Sequence, residues 1–162
     1  GGPELSTDSK EFIVFQKALL EVCTRLAKMV ARDGEGATKL LEVKVSNAGT
    51  EEDARLAAKA VASSSLVKSA IFGRDANWGR ILCAVGYSGA EFDPQKVDIF
   101  IGAEQVARAG GALNFSEENA LQILAADEVV IAVDMKTGRF GATAWGCDLT
   151  YDYVKINADY RT

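Results

Sequence analysis

The chain has 162 residues, 48% of them hydrophobic and 25% charged, with a formal net charge of −5 at pH 7. This apolar content suits one domain, or two small lobes that share a core, and is too high for a disordered chain. The acidic balance argues against nucleic acid or an anionic membrane surface as the main partner. No apolar run approaches the roughly 18 residues of a membrane span.

The chain contains no histidine and three cysteines, Cys23, Cys83 and Cys147. Without imidazole, Ser-His-Asp and Cys-His catalysis are excluded, and the commonest metal ligand is missing. The cysteines are too widely spaced for a zinc pattern, and each has apolar neighbours. We therefore predict reduced core thiols in a cytoplasmic protein and no metal site.

Residues 1–8 are predicted to be an incoming linker, and a long amphipathic helix follows them. Asp8 with Glu11 three residues later is typical of a capping box. We expect this helix to end near Ala31, because the glycine-containing stretch 33–36 would stop it. Its apolar stripe at helical spacing consists of Phe12, Phe15, Leu19, Val22, Cys23, Leu26 and Met29.

Alternation of apolar and polar residues over 41–45 predicts a half-exposed strand. Residues 50–53, Thr-Glu-Glu-Asp, are predicted to cap a second helix that runs to about Ala62 and whose alanines suit close packing. A short apolar run over 66–72 ends at a glycine. Asn77 is predicted to cap the next helix, which ends near Gly86.

Residues 97–101 are predicted to be a strand, and the glycine-rich stretch 102–111 is predicted to be an irregular surface loop. A helix is expected to start at Ser116. The apolar segments 129–133 and 140–144 flank a Lys-Thr-Gly sequence, which predicts a β-hairpin.

Asp148 is predicted to cap the final helix. Helices and strands alternate in the first half and the predicted hairpin comes later. This order indicates the α/β (α+β) class, with mixed α/β layers rather than a purely parallel sheet.

The first candidate site is the segment 31–39 between the first helix and the first strand. Its two glycines let backbone approach a ligand, while Glu35 could hold an ammonium group and Lys39 an anion. The glycine spacing does not fit a Walker loop. On the pattern alone, the favoured interpretation is a glycine helix stop with a solvated glutamate.

The second candidate is the segment 69–80, where two arginines and Trp78 precede or open a helix and could bind an anion. The alternative is a strand-to-helix turn in which Arg74 or Arg80 pairs with Asp75 while the tryptophan packs in the core. The residues alone favour neither interpretation.

The third candidate is the terminal segment 153–162, which keeps large apolar residues between its charges. We interpret it as a capped helix held in place by packing. Its end would present several polar groups at a defined place: Asn157, Asp159, Arg161, Thr162 and the terminal carboxylate. The alternative is a helix with frayed polar ends.

Three blocks of the sequence contain the candidate sites: Val30-Ala-Arg-Asp-Gly-Glu-Gly-Ala-Thr-Lys39, Leu66-Val-Lys-Ser-Ala-Ile-Phe-Gly-Arg-Asp-Ala-Asn-Trp-Gly-Arg-Ile81 and Val154-Lys-Ile-Asn-Ala-Asp-Tyr-Arg-Thr162. Together they resemble the ornithine acetyltransferases of arginine biosynthesis, also called glutamate N-acetyltransferases. Each block is close to a motif of that family, and the three occur in the same order over essentially the whole chain.

The resemblance implies a precursor that cleaves itself ahead of a threonine into an α and a β chain, assembled as two α and two β chains. The new N-terminal threonine would take the acetyl group from N2-acetyl-L-ornithine and pass it to L-glutamate. Such a nucleophile uses its own amine as the base, so no histidine is needed. The resemblance implies no cofactor, acetyl-CoA as a possible co-substrate, and a cytoplasmic enzyme, or an organellar one in a eukaryotic host.

By this resemblance, residues 9–162 are the C-terminal lobe of the β chain, without the nucleophile and oxyanion hole, and inactive alone. Glu35, Asn157 and Thr162 match substrate-binding positions of the family. The block around Asn77, Trp78 and Arg80 is assigned to structural support of the site rather than to direct contact with substrate. Two alternatives stay open: a free-standing amino-acid-binding domain, and a structural assembly lobe without catalysis.

Overall fold

The computed structural model describes residue 2 and residues 5–159. Its helices are α1 Lys10–Arg32, α2 Glu51–Ser63, α3 Ser65–Phe72, α4 Trp78–Gly86, α5 Glu117–Leu124 and α6 Tyr151–Asp159. Its strands are β1 Leu40–Ala48, β2 Asp98–Ile101, β3 Glu104–Arg108, β4 Gly111–Ala112, β5 Glu128–Asp134 and β6 Phe140–Cys147. A short 3₁₀ turn, Pro94–Lys96, precedes β2. The predicted α/β class with mixed layers is confirmed.

The strands form one mixed sheet in the order β4-β3-β2-β5-β1-β6. β1 lies between β5, with which it is parallel, and β6, with which it is antiparallel. The predicted hairpin of β5 and β6 is therefore wrong. The connection between them crosses the end of β1 instead: the amides of Thr137 and Gly138 both donate to the Asn47 carbonyl at 2.8 Å.

One face of the sheet carries the apolar core. Leu41, Val43 and Val45 of β1 are buried there against α2. The α2 residues that they meet are small, and all are buried: Ala54, Ala57, Ala58, Val61 and Ala62. Small side chains let this helix lie close to the strands, and the Ala62 carbonyl is so near β6 that a Cβ added at Gly146 would lie 2.8 Å from it.

The other face of β1 is not simply solvent-exposed, as the alternation had predicted. Lys44 is exposed, but Glu42 retains only 5% of its surface. α1 covers this carboxylate, and Lys28 of that helix forms a salt bridge with it. An alternating pattern shows which residues share a face of the strand, but it does not show whether another element covers that face.

The glycine-rich stretch predicted as a surface loop forms β3 and β4, which extend the sheet: β3 pairs antiparallel with β2, and β4 pairs antiparallel with β3. Its glycines allow the tight turns between the strands, since Gly102 and Gly110 have φ values of 57° and 72°, which favour glycine. The short apolar run over 66–72 is α3, and not a strand that leads into a helix.

The predicted helix starts are mostly confirmed. Thr50, Asn77 and Ser116 accept hydrogen bonds from the amides of α2, α4 and α5. The other two caps are wrong by one or two residues. Ser9 rather than Asp8 caps α1, and the hydroxyl of Thr150 rather than Asp148 accepts from the first turn of α6.

All three cysteines are free, as predicted, but only Cys147 is buried, while Cys23 and Cys83 are exposed. The prediction of core thiols is therefore wrong for two of the three. Within residues 2 and 5–159, no helix is both long and apolar enough to cross a membrane.

Candidate substrate-binding site

The turn between α1 and β1, residues 34–36, lies directly against the start of α6. Gly36 has a φ of +81°, and a Cβ added there would lie 2.5 Å from the Tyr153 amide nitrogen. Both the backbone angle and the contact therefore require glycine. The close approach brings together the first and third candidate segments of the sequence, which are separated by more than 110 positions.

Asn157 joins the two segments by a side-chain contact. Its Nδ2 donates to the Tyr153 carbonyl at 2.8 Å and to the Glu35 carbonyl at 3.4 Å. Two of the three residues predicted to bind substrate therefore lie together, and their role in binding stays a prediction. The Glu35 side chain is exposed and forms no salt bridge with any residue that the structure describes.

Thr150 connects the start of α6 to the 34–36 turn by hydrogen bonds. This residue is buried, and its hydroxyl donates to the Gly36 carbonyl at 2.6 Å while accepting from the Tyr153 amide at 2.8 Å. One hydroxyl thus gives hydrogen-bond partners both to a carbonyl of the 34–36 turn and to an unpaired amide in the first turn of α6.

Asp148 fixes the other end of the turn. The carboxylate is fully buried and accepts hydrogen bonds from the Thr38 amide, the Thr38 hydroxyl and the Lys39 amide, at 2.8, 2.6 and 3.0 Å. It anchors the entry to β1 instead of capping the final helix. Lys39, considered as an anion ligand, is buried, and its Nζ donates to the Ala126 carbonyl at 3.3 Å.

The terminal helix is less tightly packed than the sequence predicted. α6 has no fully buried residue, and Tyr151 is 84% exposed. Its ring meets Phe72 edge-on at 5.5 Å, and Tyr153 is half-buried. The helix is held at its first turn by hydrogen bonds rather than along its length by apolar contact. Thr162, the third predicted substrate-binding residue, lies outside the described residues.

The second candidate segment forms the end of α3, the turn after it and the start of α4, and its assignment to support of the site stays a prediction. Arg80 donates to the Leu66 carbonyl at 3.1 Å, and the Asp75 carboxylate accepts from the Asn77 amide group at 2.9 Å. Neither arginine pairs with Asp75, so that part of the alternative interpretation is wrong. Trp78 is half-buried against the core, as the same alternative proposed.

A cavity of about 410 Å³ lies beside the turn and was missed by sequence reasoning. Its walls come from the end of α1, the end of α2, α3, β6 and α6. Two lysines line it, and Lys68 holds its Nζ 5.0 Å from the centre of the Tyr153 ring. Lys68 stands inside the second sequence block, but no spacing rule brings it next to the third.

Known structures reproduce this fold. The crystal structure of the arginine biosynthesis bifunctional protein argJ from Bacillus halodurans matches it with a TM-score of 0.94 and 49% identity. The match covers 98% of this chain and 75% of that chain. The fold is therefore that of an ArgJ-type protein.

The chain belongs to the ArgJ family, whose pattern matches residues 2–162. It is 56% identical, over its whole length, to the arginine biosynthesis bifunctional protein of Symbiobacterium thermophilum and 60% identical, over 94% of it, to that of Caldanaerobacter subterraneus. A glutamate N-acetyltransferase of Methanothermobacter thermautotrophicus is 52% identical over 91% of the chain. The chain spans about 40% of the length of these relatives.

Proposed function

We propose that this chain is the C-terminal lobe of the β chain of an acetyltransferase that moves an acetyl group from N2-acetyl-L-ornithine to L-glutamate. The reaction would proceed through an acetyl-threonine whose nucleophile lies outside this chain, after self-cleavage of a precursor. The match to the ArgJ family over residues 2–162 carries the proposal, because the relatives at 52–60% identity include arginine biosynthesis bifunctional proteins and one glutamate N-acetyltransferase.

The geometry of the site supports this chemistry. An exposed carboxylate at Glu35 suits the δ-ammonium group of N2-acetyl-ornithine. The amide group of Asn157 donates to backbone, and its oxygen accepts no hydrogen bond from the described residues, so it is left for a donor on the substrate. In the proposal, Thr162 adds a hydroxyl to the substrate contacts.

The proposal includes the partners and setting that the resemblance implies. The lobe would assemble with the α chain and the N-terminal part of the β chain, as two α and two β chains, in the cytoplasm or in an organelle of a eukaryotic host. No cofactor is proposed, and acetyl-CoA would serve as an alternative acetyl donor.

The exposed apolar face of α1 favours an assembly role for the same lobe. Large apolar side chains on this helix are 45–78% exposed: Ile13, Val14, Phe15, Leu19, Leu20, Val22, Leu26, Met29 and Val30. Exposed apolar surface of this extent usually marks an interface. Assembly and catalysis are compatible, because the lobe would supply substrate contacts while another segment supplies the nucleophile.

The test is acetyl transfer by the complete protein that carries this chain, measured with N2-acetyl-ornithine and labelled glutamate. Glu35→Gln should lower kcat/KM for N2-acetyl-ornithine roughly 10- to 100-fold, the range for loss of one charge-assisted contact. Thr162→Ala should also impair turnover without affecting self-cleavage. Glu118→Gln, the same change at an exposed position of α5, is the control and should have no effect. No transfer by the unmodified protein would refute the proposal.

A further inference from the structure

Two hydrogen bonds connect the 34–36 turn to α6, and they use consecutive carbonyls of the turn. The Gly36 carbonyl accepts from the Thr150 hydroxyl at 2.6 Å, and the Glu35 carbonyl accepts from the Asn157 side chain at 3.4 Å. The first bond is short and Thr150 is only 4% exposed, whereas the second is long and joins two exposed residues. Because a hydrogen bond is stronger where water is excluded, the Thr150 bond is the firmer of the two connections.

Both connections meet at one residue of α6. The Thr150 hydroxyl accepts from the Tyr153 amide at 2.8 Å, while the Asn157 side chain donates to the Tyr153 carbonyl, also at 2.8 Å. The Tyr153 amide belongs to the first turn of the helix, whose amides have no partner within the helix itself. The hydroxyl of Thr150 therefore fixes the backbone of the residue against which Asn157 is held.

The contact between the turn and α6 leaves no room for the two backbones to come closer. A Cβ added at Gly36 would lie 2.5 Å from the Tyr153 amide nitrogen and 2.6 Å from the Asp152 carbonyl carbon. Loss of the hydroxyl would therefore be relieved by movement of the backbones apart. Such a movement changes the separation of Glu35, which precedes Gly36, and Asn157, which lies four residues after Tyr153. A displacement of about an ångström at a binding group can cost roughly 100-fold in rate.

We propose that Thr150 is a positioning residue for substrate binding, whose hydroxyl sets the separation between Glu35 and Asn157. The proposal rests on the proposed function, in which those two residues bind N2-acetyl-ornithine. A threonine hydroxyl carries one proton, and the Gly36 carbonyl accepts it. Thr150 is buried and its proton is used within the protein, so it acts on the substrate only through the residues that it holds in place.

The experiment measures kcat and KM for N2-acetyl-ornithine with the complete protein and saturating glutamate. Thr150→Val keeps the shape of the side chain and removes the hydroxyl, and it should raise KM roughly 10-fold, the range for loss of a buried hydrogen bond. Thr150→Ser keeps the hydroxyl and should stay within about 3-fold of the unmodified protein. A role confined to folding would reduce the amount of active protein, and hence the apparent kcat, without changing KM. An unchanged KM in a folded Thr150→Val variant would therefore overturn the proposal.

A double-mutant cycle with Asn157→Ala tests whether Thr150 acts through that residue. The separation of the two binding groups no longer matters once one of them is absent, so Thr150→Val should then raise KM by less than about 3-fold. Multiplication of the two full effects would show independent roles and would overturn the proposal. Thr137→Val is the matched control, because it also removes a hydroxyl that donates to a backbone carbonyl, that of Asn47 at 3.2 Å. It should leave KM unchanged.

Amide hydrogen exchange of the unmodified protein gives a result that depends on no variant. The Tyr153 amide, which donates to Thr150, should exchange at least about 10-fold more slowly than the adjacent Asp152 amide, after correction for intrinsic rates. Equal exchange of the two amides would overturn the proposal even if Thr150→Val did not fold.

Calorimetric titration of N2-acetyl-ornithine separates this inference from the proposed function. Binding that weakens roughly 10-fold in Thr150→Val, in a protein without acetyl transfer, would support the role of the threonine and refute the reaction. Acetyl transfer by the unmodified protein, with unchanged binding in Thr150→Val, would do the opposite. Absence of binding by the unmodified protein would overturn both.

Discussion

The helices α1 and α2 pack on opposite faces of the same two strands, β1 and β6, and are held in different ways. α2 buries five small apolar residues against the strands. α1 is longer, with 23 residues, and has no buried residue. Since side chains alternate between the two faces of a strand, Leu41 and Val43 meet α2 while Glu42 meets α1.

Charges rather than apolar contacts attach α1 to the sheet. Lys28 forms salt bridges with Glu42 and Glu128 and lies 6.0 Å from the Trp145 ring centre. Glu42 also accepts from Trp145 at 2.9 Å and pairs with Lys44. The comparison shows that an amphipathic pattern identifies a helix but not the element that covers its apolar face.

Among substitutions that only shorten an apolar side chain, the largest effect is expected beneath α2. Val61 is fully buried, and Val61→Ala should lower the free energy of unfolding by about 2–3 kcal/mol, from two lost carbons and the cavity they leave. Val30→Ala on α1, where valine is 78% exposed, is the matched change and should stay within about 0.5 kcal/mol. Urea unfolding of both variants measures the contrast, and equal losses would contradict it.

The second prediction concerns α6, which like α1 has no fully buried residue. Gly36→Ala forces a side chain into a left-handed backbone angle and against the α6 backbone, and should cost about 2 kcal/mol. Gly89→Ala is the control: Gly89 also has a positive φ, at +83°, but a Cβ there would meet nothing within 4 Å. It therefore measures the cost of the backbone angle without the contact to α6. Faster hydrogen exchange of the α6 amides in Gly36→Ala alone is the expected result. Equal exchange would exclude the close contact.

The third prediction tests the ionic attachment of α1. Burial raises the pKa of Glu42, but hydrogen bonds from Lys28, Lys44 and Trp145 outweigh it and hold the pKa at about 2, below the ordinary 4.5. The ionised carboxylate therefore stabilises the fold fully above pH 4.5, and this contribution is lost as the pH falls toward 2. Because Lys28 is about one-third exposed and solvent screens the pair, we expect about 1–2 kcal/mol.

Glu42→Gln should remove that contribution and flatten the dependence of stability on pH between 4.5 and 2. Glu52→Gln is the control, because Glu52 pairs with Arg55 on the exposed side of α2. Denaturant unfolding at several pH values measures both. A Glu42→Gln variant with the slope of the unmodified chain would show that Glu42 does not anchor α1.

Local sequence signals predicted most of the elements. Caps at Thr50, Asn77 and Ser116 were identified because each side chain acts within three residues of its own position. The β5–β6 hairpin was wrong because a short connection and two apolar segments cannot reveal that β1 lies between them. Strand order depends on contacts between residues 40–48 and 128–147, which no local pattern contains.

The candidate site was predicted in part for a similar reason. Glu35 and Asn157 came from a family resemblance, and the structure brings their segments together through Gly36 and Thr150. The cavity lined by Lys68 was missed because Tyr153, on which the Lys68 ammonium lies, is 85 positions away in the sequence. Only the fold places that ammonium group in a cavity with no described acidic residue in its lining.

The smallest effect on stability is expected on the apolar face of α1. Leu20 is 66% exposed, so Leu20→Gln should change the free energy of unfolding by less than about 0.5 kcal/mol. It should nevertheless lower the binding of an apolar dye, because it interrupts the exposed surface. Leu124→Gln in the core is the contrasting change, since it places an amide where the leucine is fully buried, and should unfold the chain or cost several kcal/mol. A loss of 2 kcal/mol or more in Leu20→Gln would mean that the chain itself covers this side of α1, and the comparison of α1 with α2 would fail.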